Sequence, residues 1–360
     1  MKIAVLGAGA GGASAVAELT QNGHSTRLWN RSSATLQPFI DAGGVCYEGV
    51  LGKGKAVPEL ISDQLQDVLS GADGILVCLP TLAHASLAAA LADIEANSLP
   101  VVLNPGHTGG VFAFRKVFAE KDVAPPPVAE FSTLTYVARK TEADSVSTTG
   151  AANHVWVAGL PGDEPAVGLA RELYPAATPA RDVLATGLAN VNLVLHPPGA
   201  ILGAAWVEAT EGDFTFYVQG LSDGVARVME TLDAERVAVA AAFELEVPAL
   251  FSEMQSIGTI EDAADAGAGL AAAVRSGTAN QRIKAPSSLA HRYYVEDFFF
   301  GVRPFLVLAG IAGVEVPVAQ SLMTLAETMV DKAGAIEGRS AAAMGIAGMN
   351  RTELLQMVRS

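Results

Sequence analysis

The chain opens on a short apolar run, Lys2-Ile-Ala-Val-Leu6, that leads directly into glycines and then into an Ala-rich stretch at 11–22. The first reads as a strand and the second as a helix. After the Asn22-Gly23 turn, residues 25–30 predict a second strand. Apolar runs at 74–79 (GILVCL) and 100–104 (PVVLN) predict further strands, with helices at about 82–95 and from Gly110 to about 120. Strands that alternate with helices imply parallel β-α-β connections and a doubly wound sheet. Residues 125–160 hold more strand patterns, and a helix at about 164–173 follows them. From about 180 the pattern changes. Segments such as SDGVARVMETLDAERVAVAAAFEL and PVAQSLMTLAETMVDKAG are long, helical in period and free of clear strands. The pattern predicts a Rossmann-type α/β domain over 1–180 and an all-helical domain over 181–360, divided near the cluster PAATPARD.

Composition narrows the function classes. Half of the 360 residues are apolar, and Ala-rich segments favour helix. The formal net charge is −15 and no Lys/Arg run makes a basic stripe, which argues against nucleic acid as a partner. Two cysteines, Cys46 and Cys78, give neither a disulfide framework nor metal-ligand spacing, so no metal is expected. No uninterrupted apolar stretch reaches the ~18 residues of a membrane span, and no signal peptide precedes the first strand. The expectation is a cytoplasmic protein without membrane partners. An Ala- and Leu-rich helical domain also suits a homodimer.

The glycines at 7, 9 and 12 carry the first chemistry. A GxGxxG spacing is weak by itself, but here it follows a strand and opens a helix, the setting that dinucleotide binding requires. Gly7 permits the tight turn, Gly9 lets the backbone approach a pyrophosphate, and Gly12 lets helix and strand pack closely. The end of the second strand bears Asn30, Arg31 and Ser32 in place of the acid that favours NAD. Arg31 suits a 2′-phosphate through its planar fork and Ser32 can add a bond, so NADP(H) is expected to be preferred, with NAD(H) also possible. Pro80, closing the run at 74–79, is a further candidate cofactor contact.

Among six histidines, His196 stands apart. It ends Asn190-Val-Asn-Leu-Val-Leu-His196 ahead of Pro197-Pro198, so Asn192 and His196 fall on one helical face. Pro197 disfavours helical backbone at the residue before it, which predicts a helix end there and an imidazolium favoured by the helix dipole. A second cluster, His291-Arg292-Tyr-Tyr-Val-Glu-Asp297, precedes an apolar stretch. Arg292 and Glu296 are spaced for an ordinary surface ion pair, whereas Asp297 is placed to be buried.

Taken in order, these motifs resemble the opine dehydrogenases of the octopine/nopaline type over nearly the whole chain. The likeness rests on the glycine loop, Asn104-Pro105-Gly106-x-Thr108-Gly109-Gly110, Asn190-Val-Asn192-xxx-His196-Pro197, Arg292-Tyr293-xx-Glu296-Asp297 and a closing Gly-xx-Gly ahead of the last helix. The resemblance implies a helical domain of the 6-phosphogluconate dehydrogenase C-terminal type. It also implies reductive condensation of an amino acid with a 2-oxo acid such as pyruvate, through an imine that takes hydride from the nicotinamide. On this likeness His196 is the catalytic histidine, Asp297 the carboxylate that orients it, and Arg292 the grip on a substrate carboxylate. Thr133, His107 and Asn192 fall among the substrate-binding positions. His107 differs from the small or amide residues expected there, and Asn30-Arg31 departs from the acidic residue of one bacterial member.

Rival readings are a reductase of the ketopantoate or glycerol-3-phosphate type and a non-catalytic NADP sensor. The reductases use a catalytic Lys near the domain junction, and no Lys occurs here between Lys140 and Lys284. A sensor has no need of His196, Arg292 and Asp297 together. The amino-acid side-chain pocket is expected in the helical domain, where Trp206, Phe214, Phe216 and Tyr217 are candidates.

Overall fold

The computed structural model describes residues 1–261, 269–278, 280–331 and 336–360. They divide into two compact units, one formed by Met1–Gly106 with Gly110–Val183 and the other by His107–Gly109 with Leu184–Ser360.

The first unit is built on twelve strands: β1 (Lys2–Leu6), β2 (Ser25–Trp29), β3 (Val45–Gly49), β4 (Gly54–Ala56), β5 (Leu60–Ser62), β6 (Gly74–Val77), β7 (Val101–Leu103), β8 (Val128–Phe131), β9 (Tyr136–Glu142), β10 (Ser145–Ala151), β11 (Val155–Gly159) and β12 (Ala177–Pro179). Eight of them form one sheet in the order β12-β11-β8-β7-β6-β1-β2-β5. All neighbours are parallel except β11 and β8. The chain leaves β1 toward β2 on one side and later returns to pair β6 on the other, so the switch point of the sheet lies at the C-terminal end of β1. The unit's helices are α1 (Ala10–Gln21), α2 (Ser33–Ala42), α3 (Leu65–Leu69), α4 (His84–Asp93), α5 (Gly110–Glu120) and α6 (Glu164–Leu173).

A second sheet, in the order β4-β3-β10-β9, was not expected from the sequence. Its segments, such as VCYEG and GKA, are short and mixed in polarity, so neither strand period stands out. This sheet covers the outer face of α1, whose inner face packs on β1 and β2. Ser14 of α1 and Thr148 of β10 share a hydroxyl hydrogen bond of 2.7 Å. A helix between two sheets must be thin on all sides, which accounts for the buried series Gly12, Ala13, Ser14, Ala15, Val16 and Ala17.

The second unit is helical. The chain enters it through α7 (Val183–Leu188), followed by α8 (Asn192–Leu195), α9 (Pro197–Leu202), α10 (Ala204–Thr210), α11 (Asp223–Ala242), α12 (Leu250–Ile257) and α13 (Leu270–Ser276). Then come α14 (Arg292–Asp297), a π-helical turn at Phe298–Val302, α15 (Arg303–Ala312), α16 (Pro317–Met329) and α17 (Arg351–Arg359). The 20-residue α11 is central and packs against α8, α9, α13, α15 and α16. On its buried side Arg236 donates to the carbonyls of Leu188 and Pro248 and pairs with Asp233, which in turn accepts from Leu250 N–H. The buried guanidinium is thus charge-paired and hydrogen-bonded, which burial of such a group requires. No described helix is long and apolar enough to cross a membrane.

The first unit includes β12 and runs to Val183, the first residue of α7, whereas the sequence reading divides the chain between 180 and 181. The exchange of His107–Gly109 into the helical unit has no counterpart in the sequence reading, because it depends on tertiary bonds described below.

Candidate functional site

The candidate residues form two constellations, one in each unit. In the first unit the glycine loop sits at the switch point. Gly7 has φ +119°, and a Cβ there would stand 2.6 Å from the carbonyl oxygen of Cys78, just beyond β6. Gly12 is tighter still, since a Cβ would meet the carbonyl oxygen of Gly7 at 1.7 Å. A Cβ at Gly9 would meet nothing within 4 Å, leaving open space over the loop. Gly9 also caps α1, whose first turn has no side-chain cap and no acid, so its N–H groups are presented to an anion. The loop therefore fits a dinucleotide pyrophosphate.

Asn30 ties this loop to the end of β2. Its Oδ1 accepts from Ala8 N–H at 3.4 Å and its Nδ2 donates to the Ser32 carbonyl at 3.4 Å. Its carboxamide thus holds the protein to itself, a structural task not foreseen from the sequence. Arg31, Ser32 and Pro80 are exposed at the same edge of the sheet, and the Ser32 side chain makes no cap bond to α2. Cys78 is the inert thiol expected of a buried strand end, as burial pushes its pKa up to about 12.

In the motif from Asn104 to Gly110, Asn104, Gly106 and Thr108 each have a structural task. Asn104 donates from Nδ2 to Thr135 Oγ1 at 2.9 Å and accepts from Thr135 N–H at 3.2 Å. It thereby pins the segment that carries Thr133, which lies buried in the first unit. Gly106 lies against Glu130, where a Cβ would come within 2.3 Å of the Glu130 Cβ. Thr108 belongs to the helical unit: its hydroxyl donates to the Gly187 carbonyl at 2.8 Å and accepts from Asn190 Nδ2 at 3.3 Å. Arg339 then donates to the Thr108 carbonyl at 2.8 Å. His107 is the exception. Its backbone is left-handed at φ +59°, its side chain is buried, and its Nδ1 meets no hydrogen-bond partner. Burial holds its pKa below the ordinary value, outweighing the opposing carboxylates of Glu296 and Asp297, so the ring is neutral near pH 7.

His196 is the centre of the helical unit's constellation. It is 4% exposed, and its Nδ1 lies 2.8 Å from Oδ2 of Asp297, which is 1% exposed. A carboxylate only accepts, so Nδ1 carries the hydrogen and Nε2 is the free position of the neutral ring. Nε2 lies 2.7 Å from Tyr217 Oη. The Tyr293 ring stacks on the imidazole at 3.9 Å, with an interplanar angle of 21°. Asp297 Oδ1 has no protein partner.

His196 caps the C-terminal end of α8, as expected, but α9 begins directly after it. It joins α8 to α9 with φ −88° and ψ −45°, and its carbonyl accepts from Ala200 N–H. Pro197 and Pro198 begin α9, where a missing N–H costs nothing, so the turn continues despite the preference before proline. The C-terminal end of the four-residue α8 and the N-terminal end of α9 therefore meet at this residue with opposing dipoles, and the buried Asp297 is its charged partner.

Arg292 and Asp297 are five residues apart on α14, and the helix separates them. Asp297 points to His196, while Arg292 is half exposed, with Nε 3.9 Å from Glu296. Burial opposes the Arg292 charge, but Asp297 and Glu296 outweigh it and raise its pKa. The π-helical turn after Asp297 buries Phe298 and Phe299, which anchors the end of α14 in the core. Asn192 is half-buried, with its N–H bound to Asn190 Oδ1.

Within the helical unit the fold thus gathers His196, Asp297, Arg292 and His107, with Asn192 four residues before His196 in the same turn region. Sequence reasoning missed three members. Tyr217 appeared only as one aromatic among several, Tyr293 only as a motif letter, and Arg339 not at all. Tyr217 and Arg339 reach the cluster from distant segments, so no spacing could announce them, and the stacking of Tyr293 on His196 depends on the same tertiary approach. Among the described residues no group of His, Cys, Asp and Glu is arranged to hold a metal ion.

Comparison with known proteins matches residues 179–330 to the family model of the NAD/NADP octopine/nopaline dehydrogenase alpha-helical domain. Residues 3–104, in the cofactor half, match the ketopantoate reductase PanE/ApbA model. An opine dehydrogenase from Arthrobacter sp. (strain 1C) is 31% identical over 353 residues, 96% of this chain and 95% of the relative. An octopine dehydrogenase solved with NADH and L-arginine superposes with TM-score 0.73 at 21% identity, covering 99% of this chain and 98% of the other. A yersinopine dehydrogenase with NADP+ bound gives 0.70 at 14% identity, covering 100% and 98%.

Proposed function

The chain belongs to the opine dehydrogenase family of NAD(P)-dependent oxidoreductases acting on CH–NH groups, and from that premise we propose how its own residues carry the reaction. It condenses the α-amino group of an amino acid with a 2-oxo acid such as pyruvate, and the resulting imine is reduced to a secondary-amine dicarboxylate. The buried Asp297–His196 pair carries this reading.

Proton bookkeeping explains why one histidine suffices. The ammonium nitrogen of the amino acid sheds two protons on its way to a protonated imine, and the oxo oxygen gains two as it leaves as water. His196 moves them: neutral, it accepts from nitrogen; as imidazolium, it returns the proton to oxygen. Asp297 holds the hydrogen on Nδ1 and stabilises the cation in between. The imine carbon then takes a hydride, the chemistry that a bound nicotinamide supplies.

Gly7, Gly9 and Gly12 with the N-terminus of α1 hold the pyrophosphate, and Pro80 borders it. Arg31 and Ser32 receive the 2′-phosphate of NADP(H), the preferred cofactor, beside Asn30, which shapes the loop; NAD(H) is accepted less well. Arg292 pairs with a substrate carboxylate, with Asn192 as a further polar contact in the same unit; Thr133, in the first unit, is a separate candidate for substrate binding. His107, a neutral ring with an unpartnered nitrogen, offers a hydrogen bond to the oxo acid.

The test is NADPH oxidation with pyruvate and a panel of amino acids. Oxidation is expected only when both substrates are present. An equal rate with pyruvate alone would mean simple ketone reduction and would overturn the reading.

A further inference from the structure

The nitrogen of His196 that must exchange protons with substrate already has a partner. With Nδ1 committed to Asp297, only Nε2 remains, and Tyr217 Oη stands 2.7 Å from it. Tyr217 is not a loose side chain that drifted there. Its segment, between α10 and α11, is fixed by Phe216 N–H donating to the Ile283 carbonyl at 2.9 Å and Ala285 N–H donating to the Phe214 carbonyl at 2.9 Å. Below it, Gln219 and Gly220 N–H both bond back to the Thr215 carbonyl. The Tyr217 ring meets Phe216 edge-on at 5.1 Å, and Tyr293 covers the face of His196 at 3.9 Å. A substrate approaching Nε2 in its ring plane therefore meets the phenol first.

Resting on the functional reading above, we propose that Tyr217 is a catalytic residue, the relay that carries each proton between His196 Nε2 and the substrate. In the resting form the Tyr217 O–H donates to Nε2. When the ammonium releases a proton, that proton goes to Tyr217 Oη as the phenolic hydrogen passes to Nε2, leaving Tyr217 neutral and His196 an imidazolium. In the dehydration step the flow reverses. The Nε2 hydrogen returns to Tyr217 Oη, the phenolic hydrogen passes to the carbinolamine oxygen, and the C–O bond breaks with its electrons to release water as nitrogen's lone pair forms C=N. The phenol ends each step as it began. Such a relay needs a phenol that does not ionise on its own, and burial, together with Tyr293 and Asp297, holds Tyr217 well above its ordinary pKa.

The experiment compares the wild type with Tyr217→Phe, both with NADPH, pyruvate and an amino acid that the wild type condenses. The phenylalanine ring keeps the packing and removes only the hydroxyl. Loss of the relay is expected to lower kcat by about 100-fold or more, in the range of general acid–base catalysis, while NADPH binding stays unchanged and the variant remains folded. Rates in H2O/D2O mixtures supply a readout that a merely structural role leaves alone. The wild type is expected to give a curved dependence of kcat/KM for pyruvate on deuterium fraction, from two protons moving together, and the variant a linear one. A kcat within twofold of the wild type overturns the relay, and so does a slow variant with an unchanged curve, which would make Tyr217 a positioning residue. Should Tyr217→Phe fail to fold, the wild-type curve decides alone: linear overturns the proposal and curved supports it. A wild type that never requires the amino acid refutes the condensation reading itself, a result separate from any of these.

Discussion

Asp297 Oδ2 and His196 Nδ1 meet at 2.8 Å across 101 residues of chain, with both side chains buried. Asp297→Asn keeps the shape but replaces a pure acceptor by a group that can donate, which permits the wrong imidazole tautomer. kcat is expected to fall about 10²–10⁴-fold, with NADPH affinity retained. A variant with near wild-type kcat would remove Asp297 from the mechanism.

Gly9 and Gly12 should separate folding from binding. Gly12→Ala places a Cβ 1.7 Å from a backbone oxygen, so it is expected to destabilise the protein by about 2 kcal/mol or more. Gly9→Ala meets no protein atom within 4 Å, so Tm should hold while NADPH binding weakens roughly tenfold, or about 1.4 kcal/mol. Thermal melts and NADPH fluorescence titration of the two variants check both statements; equal loss of Tm in both would contradict them.

Arg31 is exposed beside Ser32 at the end of β2. Arg31→Glu substitutes an anion where a 2′-phosphate is expected, so KM for NADPH should rise about tenfold or more while KM for NADH changes little. Parallel steady-state kinetics with both cofactors decide it. Equal changes for the two would show that Arg31 does not read the phosphate.

His107 gives a pH signature. Its folded-state pKa lies below the ordinary 6.5, chiefly through burial. Between those two values the unfolded chain binds the extra proton, so stability falls as the pH drops below about 6.5, by up to about 1.4 kcal/mol per pH unit for one proton. His107→Gln should flatten that part of the profile. Urea denaturation from pH 5 to 8 measures it, and identical slopes in the two proteins would contradict the assignment.

Much of the first unit was legible because its signals are local. The glycine spacing, the apolar run of β1 and the helix at 164–173 each depend on neighbours within a few residues. The second sheet was not, since β3 and β4 acquire their meaning only by lying on α1. His196 was singled out by its neighbours and its companions by resemblance, but the helix end invoked for its charge does not act alone, because Pro197 starts α9 directly after α8 ends. Tyr217 lay beyond sequence reasoning for another reason. Nothing in a phenol's surroundings along the chain states that its oxygen will stop at a histidine nitrogen 21 residues away.

The assignment of His107–Gly109 to the helical unit bears on how such enzymes can be recombined. A chimera that joins the cofactor half of one family member to the helical half of another at position 183 would take Thr108 from one parent and Gly187, Asn190 and Arg339 from the other. Three residues embedded in the first half of the gene should therefore travel with the second, and libraries that shuffle the halves should graft them along with it.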